Sequence, residues 1–414
     1  MAMVARIWSS SLFPKALSKK SARSCSQMAS SQQEHCSTKQ SSLLPGCADS
    51  NGTSLFAKMF ATTAGAGNYR SLPAQTSTGD LTVSSLGLGT YLGPETDVAD
   101  EEYKNAVLRA LALGINVLDS AINYRNMRSE RAIGLALAEA VSRGVVKRNQ
   151  VVVCTKGGFL SFDTIRPPNP RGWIEENYVR PGIFAWEDFV AGCHCMKPEY
   201  IKNQLDKSRA NLGLETIDVY YIHNPETQLG EVSREEFYKR IKAAFTVLEE
   251  ACNEGKVGIY GIATWNGFRV PPESKGHLSL EELVRAAYEA GGERHHFKIL
   301  QLPYNMALQE AANSQTQLVQ GIKMTLLQAA KELGISVATS ASLMQAKLCN
   351  SIPAEVLKEF SQGDKTLTGA QCALQFVRTT PNVLVALAGM RRVEHVEENA
   401  KLIELSAEPS TLHN

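Results

Sequence analysis

Val151-Val-Val-Cys-Thr-Lys156 is an unbroken apolar run that ends on a charge. A strand that is apolar at successive positions has both faces covered, as in a parallel sheet flanked by helices. Two other runs repeat the form: Val117-Leu118 leads into Asp119, and Val219-Tyr-Tyr-Ile222 leads into His223. Working outward, strand-like runs fall at 81–91, 115–118, 151–155, 217–222, 257–263, 298–302, 335–339 and 383–387. Helical periodicity falls between them. Tyr103, Val107, Ala110 and Leu111 share one face of a helix over 100–113, and Gly114 offers its left-handed stop. Further helices are predicted at 129–142, 199–212, 237–252, 280–290, 316–333, 368–378 and 393–405. Eight strands joined by helices require parallel pairing through βαβ crossovers. The expected fold is therefore α/β, a (β/α)8 TIM barrel, with an enlarged third βα loop between Lys156 and residue 199. An open dinucleotide-binding sheet is disfavoured, because Gly87-Leu-Gly-Thr-Tyr-Leu-Gly93 after the first strand does not have the GxGxxG spacing.

The 414 residues are 43% hydrophobic and 21% charged, which supplies a core and excludes collagenous, disordered and coiled-coil chains. A formal net charge of +1 gives no global attraction to nucleic acid or anionic membranes. The longest apolar run, at 383–390, is far short of the ~20 residues of a membrane span. Nine cysteines without regular pairing, apart from Cys193 and Cys195, fit a reducing compartment. Cys193-His194-Cys195 supplies too few ligands to close a metal site, and no metal is expected. Cys154 reads as a core thiol.

The first fifty residues differ from the rest. They hold 13 serines and six Lys or Arg against two acids, Glu34 and Asp49, leaving −3 for the remainder of the chain. A basic, Ser-rich, acid-poor start without an apolar h-region has the composition of an organelle transit segment, for the chloroplast first and the mitochondrion second. With 51–70 taken as linker, the division is 1–70 transit segment and linker, and 71–410 barrel.

Strand C-termini form the functional face of such a barrel. Asp119, Lys156 and His223 end three strands there, and Tyr124 lies five residues past Asp119. Buried charges must pair, so Asp119 and Lys156 are expected to form an ion pair. A phenol of pKa ~10 becomes a useful proton donor when a cation stabilises its anion. The four together make a metal-free proton donor for a carbonyl oxygen.

These residues carry a family resemblance. Gly87-Leu-Gly-Thr90, Asp119-Ser-Ala-Ile-Asn-Tyr124, Ser129-Glu130, Thr155-Lys156 and the run ending at His223 resemble, in order, the aldo-keto reductase superfamily. The resemblance implies a barrel that uses NADP(H) or NAD(H) to interconvert carbonyls and alcohols, with a small-molecule carbonyl substrate and NADP(H) the expected cofactor. It implies Tyr124 as general acid, Lys156 and Asp119 as its tuning pair, and His223 as orienter of the carbonyl. For the cofactor it implies Gly89, Thr90, Asp119, Thr264, Gln301, Gly389, Arg391, Glu398 and Asn399, with Arg391 meeting the adenosine 2′-phosphate. Ser340 stands where the family carries an aromatic that stacks on nicotinamide, with Trp265 as the nearest substitute. The alternative is a cofactor-binding barrel of slow turnover that acts as a regulatory or redox-sensing subunit. The aromatics of the enlarged loop, from Trp173 to Phe189, are expected to form a substrate lid.

Overall fold

The computed structural model describes residues 43–76, 79–361 and 366–409. The transit reading of residues 1–42, and the barrel's expected end at 410, lie outside the described residues.

Eight parallel strands close into a barrel: β3 (Leu86–Gly89), β4 (Val117–Asp119), β5 (Val152–Gly157), β6 (Ile217–His223), β7 (Val257–Ala263), β8 (Phe297–Pro303), β11 (Ser336–Ser340) and β12 (Val385–Gly389). Helices return each strand to the next around the outside. Their caps follow local sequence: the Thr96 and Ser233 side chains accept from the backbone N–H of the third residue of helices Asp97–Ala112 and Arg234–Asn253. Alternation along each strand sets what faces inward. Val117, Val152, Cys154, Val219, Tyr221, Ile259 and Ile299 fill the barrel. Outward residues such as Leu118, Val153 and Ile222 meet the helices. Cys154 is buried two residues below Lys156 on the same inward face, and burial pushes its thiol pKa well up.

The start of the barrel departs from expectation. The run 81–91 is two strands. β2 (Gly79–Ser84) pairs antiparallel with β1 (Tyr69–Thr76), and only β3 enters the barrel. Leu72, Ala74, Leu81 and Val83 close the barrel's lower end against its inward residues. The linker reading of 51–70 is also corrected. Asp49 caps helix Ser50–Met59, Phe56 beneath it is 0% exposed, and Leu44 bridges to Leu214. One apolar face sufficed to bury a helix whose Gly, Ser and Thr content resembles a linker. Arg70 then ties the hairpin to the chain's end, donating to the carbonyls of Val383, Leu384 and Ala407. The barrel domain therefore includes residues well before 71.

The helix expected over 316–333 is likewise replaced in its first half. β9 (Gln317–Val319) and β10 (Ile322–Met324) form a hairpin, with Gln320 and Gly321 both at positive φ in its turn. The helix begins only at Leu326, where Thr325 and Gln328 form a capping box.

The enlarged loop is built around its own core. Ile174, Tyr178, Phe184 and Cys195 pack with Tyr200, and Trp173, Trp186 and Phe189 cover them. Tyr178 stacks on Phe184 at 5.3 Å and Phe184 on Phe189 at 5.2 Å. None of the aromatics from Trp173 to Phe189 lines the cavity at the barrel mouth, so the lid expectation fails: packing against one another buries more of these rings than facing an open mouth would.

Candidate active site

Register brings the strand ends together. Gly89 lies beside both Gly389 and Asp119, Lys156 beside Tyr221, His223 beside Ala263, and Ala263 beside Gln301. These ends floor a cavity of about 1190 Å³.

Lys156 is fully enclosed, just behind Asp119 of the cavity lining. Its Nζ donates to Asp119 Oδ2 at 2.7 Å and to the Ser120 carbonyl at 2.6 Å. The same Nζ stands 4.8 Å from the centre of the Tyr124 ring. Gln301 Nε2 donates to the other Asp119 oxygen at 2.7 Å, so the carboxylate is held on both sides. The Tyr124 ring meets His223 edge-on at 5.9 Å and Tyr91 at 5.0 Å. The structure thus assembles all four residues expected to carry chemistry.

Burial and charge set their protonation. Burial raises the Tyr124 pKa; Lys156 opposes it, but the net direction is upward, so the phenol keeps its proton at neutral pH. For Lys156 burial works downward, yet Asp119 and Tyr124 together hold the ammonium above its ordinary value. His223 is driven well below an ordinary histidine, first by burial and then by Lys156 and His194, so its ring is neutral.

From this base the cavity extends toward the start of helix Val393–Ala400. Gly89, Thr90, Thr264, Gln301, Gly389, Arg391, Glu398 and Asn399 all line it. Their present partners are specific. The Thr90 hydroxyl is turned to the Asp119 carbonyl and Ser120. The Thr264 hydroxyl accepts from Gly267 N at 2.8 Å. Arg391 Nε is 3.0 Å from Glu102 Oε2 on the neighbouring helix. Glu398 accepts from Thr368 Oγ1 at 2.5 Å. Ser340 lines the wall without a ring, and Trp265 stands half-exposed at the rim.

Sequence reasoning missed Tyr91, Asn123 and Phe159, which line the cavity within three residues of a strand end or of Tyr124. That position was the available signal. It also missed the segment from Ala341 to Asn350, which forms a wall. Met344, Gln345 and Ala346 there all adopt positive φ without a glycine to announce it.

A family model described as the aldo/keto reductase family matches residues 85–411. The chain belongs to that family, and with it to the oxidoreductases. Among curated relatives, a Schizosaccharomyces pombe protein named "Putative voltage-gated potassium channel subunit beta" is 25% identical over 335 residues, 78% of this chain and 86% of that one. The NADH-specific methylglyoxal reductase of Escherichia coli is 28% identical over 191 residues, 45% of this chain and half of the relative's length. A holo-form aldo-keto reductase from Bacillus halodurans superposes with a TM-score of 0.54 at 20% identity, covering 83% of this chain and 93% of that one. An aldo-keto reductase from Klebsiella pneumoniae, solved with NADPH, gives 0.52 at 20% identity, covering 82% and 90%. At that identity the solved structures establish the shared fold.

Proposed function

We propose that the protein is an NADPH-dependent reductase of aldehydes or ketones, with Tyr124 as proton donor. The observation that carries this reading is the closed set of Lys156, Asp119, Tyr124 and His223 at the base of one long cavity. The cavity fits the cofactor on two counts. Asn399 Oδ1 is buried without a hydrogen-bond partner among the described residues, an acceptor open to an amino group. Gly389 leaves open space where any side chain would project. Arg391, Glu398 and Asn399 would hold the adenosine end, and Gln301, with an N–H still to give, the nicotinamide end. NADPH, when bound, supplies a hydride to the carbonyl carbon. Tyr124 gives its hydroxyl proton to the carbonyl oxygen, so the product is the alcohol. Lys156 stabilises the tyrosinate that remains, and Asp119 and Gln301 keep Lys156 aimed at it. His223, neutral, offers a ring N–H to the same oxygen without competing as an acid.

NADPH oxidation is measured with a panel of small aldehydes, quinones and pyridoxal. Turnover with at least one of them, lowered roughly 10²–10⁴-fold in Tyr124→Phe with cofactor affinity kept, is the expected result. The likeness to the S. pombe relative favours a second reading, a regulatory barrel of slow turnover. NADPH binding without measurable reduction of any member of the panel would support it over the enzyme.

The acid-poor, Ser-rich start supports a chloroplast location, with the mitochondrion second. Residues 1–42 fused to a reporter should deliver it to plastids; a reporter left in the cytosol refutes the assignment.

A further inference from the structure

The enlarged loop returns to the strand end through Cys193-His194-Cys195. Leu160 N donates to Cys193 O at 2.7 Å and Cys195 N to Gly158 O at 2.9 Å, so this segment is zipped to the chain just beyond Lys156. His194 is fully enclosed and both its ring nitrogens are engaged. Nε2 lies 2.8 Å from the His223 carbonyl oxygen and Nδ1 lies 3.0 Å from Gln228 Nε2. The tautomer follows from the partners. Arg240 Nη1, which can only donate, is 2.7 Å from Gln228 Oε1. The other end of that amide is therefore its NH2, which donates to Nδ1. The ring proton of His194 is on Nε2 and goes to the His223 carbonyl. Gly158 makes the room: it sits at φ +127°, and a Cβ there would lie 2.8 Å from His194 Nε2 and 3.3 Å from the His223 oxygen.

His223 itself is held in an uncommon way. Its Nδ1 is buried and has no hydrogen-bond partner among the described residues. A working histidine is ordinarily oriented through its second nitrogen. Here the Phe159 ring stands edge-on to both imidazoles, 5.1 Å from His223 and 5.1 Å from His194. The direction of the His223 ring rests on its backbone, which His194 holds, and on Phe159, which pairs with His194 across a β-bridge.

We infer that His194 is a positioning residue for carbonyl reduction: acting from the enlarged loop through the His223 carbonyl and the Phe159 ring, it sets how the His223 imidazole meets the substrate oxygen. The inference rests on the reading of His223 given above. It also gives the loop's aromatic core a task, which is to hold residues 193–195 in place.

The full chain is compared with His194→Phe, His194→Gln, His223→Ala and the double variant His194→Phe/His223→Ala, with NADPH and 4-nitrobenzaldehyde as probes. His194→Phe is expected to lower kcat roughly 10- to 100-fold, the scale of a ~1 Å misplacement at a reacting group, with NADPH affinity kept. His194→Gln, which retains an N–H donor, is expected to recover most of that loss. The double variant should match His223→Ala alone, because a residue that acts through another adds nothing once the other is gone. Losses that multiply, or parental kcat in His194→Phe, overturn the inference. Parental kcat in His223→Ala overturns instead the reading on which it rests. If His194→Phe fails to fold, Gln228→Leu, which frees the His194 tautomer, should show the same dependence on His223, and parental kcat there overturns the inference. Carbon-13 histidine spectra need no turnover: a replaced His194 should shift the His223 ring signals, and unchanged signals refute the proposal.

Discussion

Lys156 Nζ donates to Asp119 Oδ2 at 2.7 Å, with the two side chains 0% and 6% exposed. Two opposite charges so enclosed hold each other in place, since each would be costly to bury alone. What distinguishes this pair is the third group. The ammonium that neutralises Asp119 also faces the Tyr124 ring, so a structural ion pair doubles as the device that tunes a phenol.

That coupling predicts the pH profile. Tyr124 is raised above its ordinary value, and Lys156 limits the rise. Carbonyl reduction needs the phenol protonated, so kcat/KM for reduction should be level through neutrality and fall only above pH ~10. Alcohol oxidation needs the phenolate and should rise over the same alkaline range. Lys156→Met removes the opposing charge, so its oxidation limb should move to higher pH and its rates should fall by at least as much as in Tyr124→Phe. A Lys156→Met profile that overlays the parent's would make Lys156 structural.

His223 predicts an absence of acid inhibition. Its pKa is driven well below the ordinary ~6.5, so it stays neutral as pH falls through that value. Reduction should show no limb near pH 6.5 that disappears in His223→Gln. Finding such a limb would mean the ring is solvated and charged during turnover.

His194 links pH to stability. Burial lowers its pKa to about 4, so between that value and ~6.5 the unfolded chain binds the extra proton. The stability contributed is complete above ~6.5 and lost as pH falls toward 4. Urea midpoints should drop across this window, and His194→Phe should flatten part of the drop. An equally steep fall in the variant would assign it to other groups.

Arg391 should decide between NADPH and NADH. It lines the far end of the cavity, where Glu102 now pairs with it, and a forked guanidinium suits a phosphate. Arg391→Ala is expected to raise KM for NADPH roughly tenfold, about 1.4 kcal/mol of a charge-assisted contact, and to spare NADH. Equal weakening toward both cofactors would argue against a phosphate contact.

The N-terminal helix and hairpin should be indispensable. A chain beginning at Leu43 is expected to match the full chain in thermal stability. One beginning at residue 77 loses Phe56, Leu72 and Ala74 from the core and the Arg70 bonds to the chain's end. Phe56→Ala alone should cost about 3–5 kcal/mol in urea denaturation. If the shorter chain folds as stably as the longer, the hairpin is an accessory.

The sequence by itself determined the barrel and which ionisable side chains gather at its mouth. Strands buried on both faces read as continuous apolar runs, and a charge closing such a run has only the strand end to occupy, so Asp119, Lys156 and His223 were legible together. Tyr124 followed from its distance along one loop. Only the tertiary structure decided what non-local packing controls. Helix Ser50–Met59 and the β1–β2 hairpin are weak local signals made stable by the barrel floor beneath them. The Gln317–Met324 hairpin overrode a helical period through its positive-φ turn. The aromatics from Trp173 to Phe189 have the composition of a lid, yet they pack against one another, and the loop reaches the site through His194 and Phe159. Burial of His194, the His223 Nδ1 left without a partner among the described residues and the Glu102 partner of Arg391 arise between residues far apart in the chain. Spacing along the sequence carries no record of such contacts, because they exist only once the eight strands have closed.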